Sequence, residues 1–248
     1  MDQSFILPNI LIGLVVFVVA YIFGSLPTGV LVGKVFFHTD IRDHGSKNTG
    51  GTNAGRVLGK KIGIAVIALD MIKTVIPIYA TWALLTYVPY LNQWMHWENG
   101  YYAAPLFYWL AALFCTIGHC FSVFLKFKGG KAVSCYMGAN VLVSWVHFLI
   151  VGFSYLSIAK KTKLISLTSI ITSIIGIVLS WGIAIIAVTT GWEPNLLTWV
   201  FVSGAPYLGI EFAIVNTIIS AILVIRHKAN IERIRNGTES KNPFAKSE

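Results

Sequence analysis

An all-α protein that crosses the membrane several times is the fold class this sequence predicts, and three observations predict it. Of the 248 residues, 56% are hydrophobic and only 12% charged, with a mean hydropathy of +0.72. A soluble domain carries roughly twice that share of charge, because it must cover its core with a wetted surface. Several apolar stretches reach the ~20 residues a helix needs to cross a bilayer. These runs lack the period-2 alternation of a barrel strand, which leaves helices as the way to satisfy the backbone in lipid.

The apolar segments are expected near 10–32, 62–88, 105–125, 132–145, 147–159, 164–190 and 206–225, within one membrane-embedded domain over 1–248. Between them lie basic connections at 34–61, 126–131, 160–163 and the tail from Arg226. Two others, 89–104 and 191–205, are aromatic and free of Lys and Arg. Of the 19 Lys and Arg residues, 18 fall in the four basic segments, and Lys73 alone sits inside a span. Asp2, Glu98 and Glu193 occupy the N-terminus and the aromatic loops. That asymmetry places the basic loops in the cytoplasm.

Parity then constrains the stretch 132–159, which must leave and return to the same side. Its 28 residues would make a single helix of about 42 Å. Split near Ser144 to His147, they make two short helices, crossing with local thinning or forming a re-entrant hairpin. Seven spans follow, the fourth and fifth short, with the N-terminus outside and the C-terminus inside. The first run has no basic residue before it, and Lys34 follows it, as in an outside-facing anchor rather than a cleaved signal peptide.

The formal net charge of +9 fits an anionic leaflet and anionic substrates; no nucleic-acid partner is expected. Cys115, Cys120 and Cys135 are odd in number and lie in or near apolar runs, as small buried hydrophobes do. Asp70 and Lys73, three residues apart in the second span, are expected to pair as a clamp. Glu211 reads as a partly solvated residue near the outer interface, and His119 as a structural hydrogen-bonding residue.

The first basic loop packs Gly45, Gly50, Gly51, Gly55 and Gly59 among Ser46, Asn48, Thr49, Thr52, Asn53 and Arg56. Glycines let backbone N–H groups approach a ligand, and hydroxyls, amides and a guanidinium add donors for phosphate oxygens. The bland alternative is a polar surface linker. No GxxxxGK[ST] occurs, so this is not a nucleotide P-loop. The second loop, KFKGGK, sets Gly129 and Gly130 between Lys128 and Lys131, offering backbone donors and cations, or merely anchoring the chain inside. In the tail, His227, Asn230 and Ile231 would share one face if the last span continued as a helix. His38 and Asp43 match an H-x-x-x-x-D pattern used elsewhere for acyl transfer, but no partner motif follows.

Taken together, the loops resemble the PlsY family of bacterial acyl-phosphate:glycerol-3-phosphate acyltransferases. DIRDHGSKNTGGTNAGRVLGK (40–60), GHCFSVFLKFKGGKAV (118–133) and HKANIERIRNGTE (227–239) resemble its three motifs in order, and GSLPTG (24–29) and LDMIK (69–73) match further signposts. Departures are Lys47 for Gly, Gly51 for Ala, Ser122 for Pro, Ala132 for Gly and Thr74 for Gly. The resemblance implies transfer of a fatty acyl group from acyl phosphate to the 1-hydroxyl of glycerol 3-phosphate, the first step of phospholipid synthesis. It implies that Ser46, Arg56, Lys131, His227 and Asn230 form the glycerol-3-phosphate site. Gly129, Gly130 and the 48–53 loop (Asn48, Gly50, Gly51, Thr52, Asn53) would shape the acyl-phosphate pocket beside Lys128, and Glu239 would brace the tail. Attack is expected directly from the substrate hydroxyl, with no acyl-serine, metal, cofactor or obligate protein partner, at the cytoplasmic face of the cell membrane. The rival readings are an organic-phosphate transporter and an acyl-CoA-dependent acyltransferase using His38.

Overall fold

The computed structural model describes residues 3–97, 100–200 and 206–244. Asp2 and Glu98, read as outer-side acids, lie outside the described residues. Twelve α-helices account for most of the described chain. They are α1 (Gln3–Ser25), α2 (Thr28–Phe37), α3 (Gly51–Val57), α4 (Lys60–Tyr87), α5 (Pro89–Asn92) and α6 (Ala104–Cys120), then α7 (Val133–Val141), α8 (Trp145–His147), α9 (Phe153–Thr162), α10 (Ile165–Thr190), α11 (Ile210–Arg226) and α12 (Lys228–Arg235). No strand forms among the described residues.

Four segments are long and apolar enough to cross a membrane by length and composition: Ile6–Phe37, Lys60–Tyr87, Ala104–Leu125 and Ile165–Thr190. The pair α11–α12 makes a fifth if counted together across its 56° bend. The first segment is broken at Leu26–Pro27, where proline has no N–H to continue the ladder. Between 132 and 159 the chain is in two helical pieces. α7 stops at Val141, and a run from α8 through a π-turn at Phe148–Gly152 into α9 follows.

The bundle is built inside out relative to a soluble protein. Leu7, Val15, Val19, Val178, Val188 and Ile225 are all exposed, as side chains facing lipid are. The interior holds α6, whose Trp109, Ala111, Ala112 and Cys115 are fully buried. Interior polar groups pair across helices. Asn140 of α7 donates to Asn216 of α11 at 2.9 Å, and Asn216 donates to Ser180 of α10 at 2.7 Å.

Pro77 inside α4 leaves the carbonyl of Lys73 without its helical donor, and Cys115 Sγ of α6 supplies one at 3.4 Å. The same turn of α4 carries the expected ion pair, Lys73 Nζ to Asp70 Oδ1 at 2.6 Å. Asp70 also accepts from Thr28 Oγ1 at 2.5 Å, and Lys73 donates to the Leu26 carbonyl at 2.9 Å, so the pair ties α4 to the break between α1 and α2.

Part of the first basic loop is not loop. Residues 51–57 wind into α3, which packs on α4 through glycines. A Cβ at Gly63 would lie 2.4 Å from the Cα of Gly55, and one at Gly51 would lie 2.8 Å from the Gly63 carbonyl. This contact fixes the height of Arg56, the next residue along α3. Two departures from the family pattern, Lys47 (φ +56°) and Ala132 (φ +65°), sit in the left-handed region. A non-glycine residue there carries a cost of roughly 1 kcal/mol.

Candidate functional site

A cavity of about 370 Å³ opens at the end of the bundle that carries the basic loops. Its walls come from three stretches far apart in sequence. The first loop and α3 contribute Ser46, Asn48, Gly50, Gly51, Thr52, Asn53 and Arg56; the second loop contributes Lys131; the kink and tail contribute His227, Asn230 and Glu239. Three expected site residues, Lys128, Gly129 and Gly130, do not line it.

The reason lies in the backbone. The N–H of Gly129 donates to the Cys120 carbonyl at 3.1 Å and that of Gly130 to the His119 carbonyl at 2.9 Å. Their carbonyls accept from Arg226, Nη2 to Gly129 at 3.0 Å and Nε to Gly130 at 3.1 Å. These donors are therefore committed within the fold, which corrects the expectation that they would be free for an anion. The two glycines are needed for close approach: a Cβ at Gly129 would fall 2.1 Å from the His119 carbonyl, and one at Gly130 2.1 Å from His119 Nε2. Lys128 is exposed.

Asn53, 1% exposed, organises the first loop. Its Oδ1 accepts from Ser46 N at 2.8 Å and Ser46 Oγ at 3.1 Å. Its Nδ2 is shared among the carbonyls of Ile41, Asn48 and His44 at 2.7, 2.9 and 3.2 Å. The amide thus holds the loop and sets Ser46. What Ser46 Oγ meets is an amide oxygen, which takes no proton.

The tail does not continue α11. The helix ends at Arg226, and α12 departs at 56°, yet His227 and Asn230 both reach the cavity. His227 Nδ1 lies 2.8 Å from the Leu223 carbonyl. A carbonyl only accepts, so Nδ1 carries the hydrogen and Nε2 of the neutral ring keeps a lone pair. Asn230 links the cations to Glu239. Its Oδ1 accepts from Lys131 Nζ at 2.6 Å, and its Nδ2 donates to Glu239 Oε1 and Ser166 Oγ, both at 2.7 Å. Glu239 accepts further from Ser166 Oγ at 2.6 Å and Arg233 Nε at 2.8 Å, fastening the tail to α10.

Electrostatics follow from these contacts. Burial raises the Glu239 carboxyl, but the hydrogen bonds from Ser166, Asn230 and Arg233 outweigh it and hold the group below its ordinary range. Burial draws Lys131 down to about 8, with repulsion from Arg233 adding and Glu239 opposing. Burial likewise lowers Arg56, again with Glu239 opposing.

Residues that sequence reading left out of the site also line it, among them Lys47, His119, Ser134, Ser166, Arg233 and Ser240. Arg233 was marked by the third motif itself, which carries an arginine at that position. Nothing local marks Ser166. His38 and Asp43 are both exposed and neither lines the cavity. A larger hollow of about 570 Å³ at the opposite end has aromatic walls with Glu193 and Glu211 and no Lys, Arg or His in its lining, a poor match for phosphate.

In sequence and in fold the chain is similar to proteins already known. The family model described as glycerol-3-phosphate acyltransferase matches residues 14–237. A glycerol-3-phosphate acyltransferase from Macrococcus caseolyticus is 37% identical over 92% of this chain and 96% of that protein. One from Enterococcus faecalis is 36% identical over 93% and 92%. Among solved structures, crystal structures of PlsY, an integral membrane glycerol 3-phosphate acyltransferase, superpose over 92% of this chain and 94% of theirs. The lysophosphatidic acid form gives a TM-score of 0.67 at 25% identity, and the glycerol 3-phosphate form 0.66 at 24%.

Proposed function

This chain belongs to the glycerol-3-phosphate acyltransferase family, and we propose that it transfers a fatty acyl group from acyl phosphate to the 1-hydroxyl of glycerol 3-phosphate, giving lysophosphatidic acid and phosphate. The observation that carries this reading is the cavity, where Arg56, Lys131 and Arg233 meet Ser46, His227 and Asn230 beside the apolar Val133 and Ile165. Phosphate groups and an acyl chain both find their chemistry there.

In the reaction the glycerol hydroxyl oxygen attacks the acyl carbonyl carbon. A C–O bond forms, the carbonyl-carbon to phosphate-oxygen bond breaks, and the hydroxyl proton leaves on the departing phosphate. Acyl phosphate is a mixed anhydride with a good leaving group, so the protein's work is placement and charge stabilisation. Arg56 and Lys131 hold the phosphate of glycerol 3-phosphate. His227 Nε2 accepts a hydrogen bond from the polyol, and Ser46 Oγ, its own hydrogen held on Asn53, accepts from a substrate hydroxyl. The glycines of the second loop act by shaping Lys131's approach.

Seven crossings with an outside N-terminus and a cytoplasmic site in the cell membrane complete the reading. The charge asymmetry of the loops supports it. So does the turn after α7: Ser144 Oγ donates to the Leu197 carbonyl at 2.9 Å, and Trp199 N to the Val143 carbonyl at 3.1 Å, joining this turn to the Lys- and Arg-free loop.

The test is phosphate release by the purified protein in lipid, with glycerol 3-phosphate and palmitoyl phosphate, and palmitoyl-CoA as a parallel donor. Turnover with acyl phosphate alone is expected. Turnover with the CoA thioester alone would replace the donor, and none with either in folded protein would remove the assignment.

A further inference from the structure

Lys47 stands at a backbone position built for glycine. Its φ is +56°, and of the six described non-glycine residues with positive φ it alone lines the cavity. The strained conformation is fixed by the chain, with Lys47 N donating to the His44 carbonyl at 3.0 Å and Ser46 and Asn53 bonded just beside it. A strained backbone kept at a residue that lines a site points to a role for that residue's side chain.

Its ammonium has no carboxylate partner among the described residues. Glu239, the one acid in the described cavity lining, is already engaged by Arg233, Ser166 and Asn230. Arg56 and Lys131 share the field of Glu239 and Arg233, and Lys47 adds a cation to the same lining from the loop that precedes α3. It is a further cation in the cavity, additional to the pair that takes the first phosphate.

Charge matching gives it a task. A phosphate monoester carries about −1.5 to −2 near neutral pH, and the acyl phosphate adds at least one more negative charge in the same cavity. With Arg233 neutralised by Glu239, Arg56 and Lys131 supply two positive charges against roughly three negative. We propose that Lys47 binds the phosphoryl group of the acyl donor, and the phosphate that leaves it, as the donor-selective cation of the site. The proposal rests on the acyl-phosphate reading above.

Steady-state kinetics of Lys47→Gly and Lys47→Arg test it, with donor and acceptor varied separately and inorganic phosphate as product inhibitor. Lys47→Gly relaxes the backbone while removing the charge, so it folds at least as well as the parent. The expected result is a rise of about tenfold in KM for palmitoyl phosphate, the size of one lost charge-assisted contact. Inhibition by phosphate should weaken in parallel, while KM for glycerol 3-phosphate and kcat move much less. Lys47→Arg should keep the parent's donor KM within about threefold. An unchanged donor KM in Lys47→Gly, or a rise confined to the glycerol 3-phosphate KM, overturns the assignment. Absence of turnover with acyl phosphate in the parent protein would instead strike the underlying reading, and the same assay separates the two.

Discussion

The imidazole of His119 lies so close to Gly130 that a methyl group on residue 130 would come within 2.1 Å of Nε2. His119 cannot easily yield, because it is 8% exposed and its Nδ1 faces Asp70 Oδ1 at 3.7 Å. Gly130→Ala should therefore displace the loop, at about 1–3 kcal/mol for an overpacked interior. Lys131 is the next residue, so kcat/KM should fall at least about tenfold. Kinetics in lipid alongside a melting curve check both parts. Activity like the parent's would mean the loop moves without carrying Lys131.

Asp70→Asn removes one partner of a pair that is 1% and 5% exposed. An uncompensated buried ammonium is left on Lys73, and breaking such a pair commonly costs about 3–5 kcal/mol. A large drop in thermal stability in detergent is expected. Adding Lys73→Met should recover part of it, since the stranded charge is then gone. A double variant no more stable than the single one would show that the Thr28 and Leu26 contacts, rather than the charge pair, hold this region.

The depressed Lys131 gives a pH signature with a definite sign. The folded protein holds this amine at about 8, below an ordinary lysine. Below that pH the fold bears a penalised charge; the penalty is relieved as pH rises through 8 toward the ordinary lysine value. A bound phosphate favours the ammonium again, so binding glycerol 3-phosphate near about pH 8.5 should take up a proton. Calorimetry in buffers of different ionisation heat measures it, and Lys131→Arg should abolish the uptake. Binding heats indifferent to the buffer would exclude Lys131 from the phosphate contact.

Ser46 and Arg56 separate placement from covalent chemistry. Ser46→Ala should slow turnover, and rapid-quench mass spectrometry of the parent should show no acyl-serine. A trapped acyl-enzyme would contradict the direct-attack mechanism. Arg56→Ala should lose at least about 1.4 kcal/mol of transition-state stabilisation, tenfold in rate. Near-parent kinetics would take Arg56 out of the site.

Much of this arrangement was readable from residue order alone. The apolar runs and the placement of Lys and Arg identify a helical membrane protein, and eleven of the residues singled out in three separate loops do line one cavity. What escaped depends on contacts between distant residues. Gly129 and Gly130 look like phosphate donors until His119, Cys120 and Arg226 are seen to occupy their backbone groups. Asn53 looks like a ligand until its amide is found holding Ile41 and Ser46. Ser166 has no local mark, because its importance arises where α10 meets the tail. The helix at 51–57 was hidden by its glycines, poor helix formers alone, which here permit the contact with α4 that stabilises it.

Arg226 closes α11 and, through its guanidinium, grips the two carbonyls that precede Lys131. A helix fastened in this way cannot tilt without pulling on the loop, and tilt is how such a helix adapts to a thicker or thinner bilayer. The surrounding lipid thereby has a mechanical hold on Lys131, because a bilayer that changes the tilt of α11 pulls on the loop that carries it.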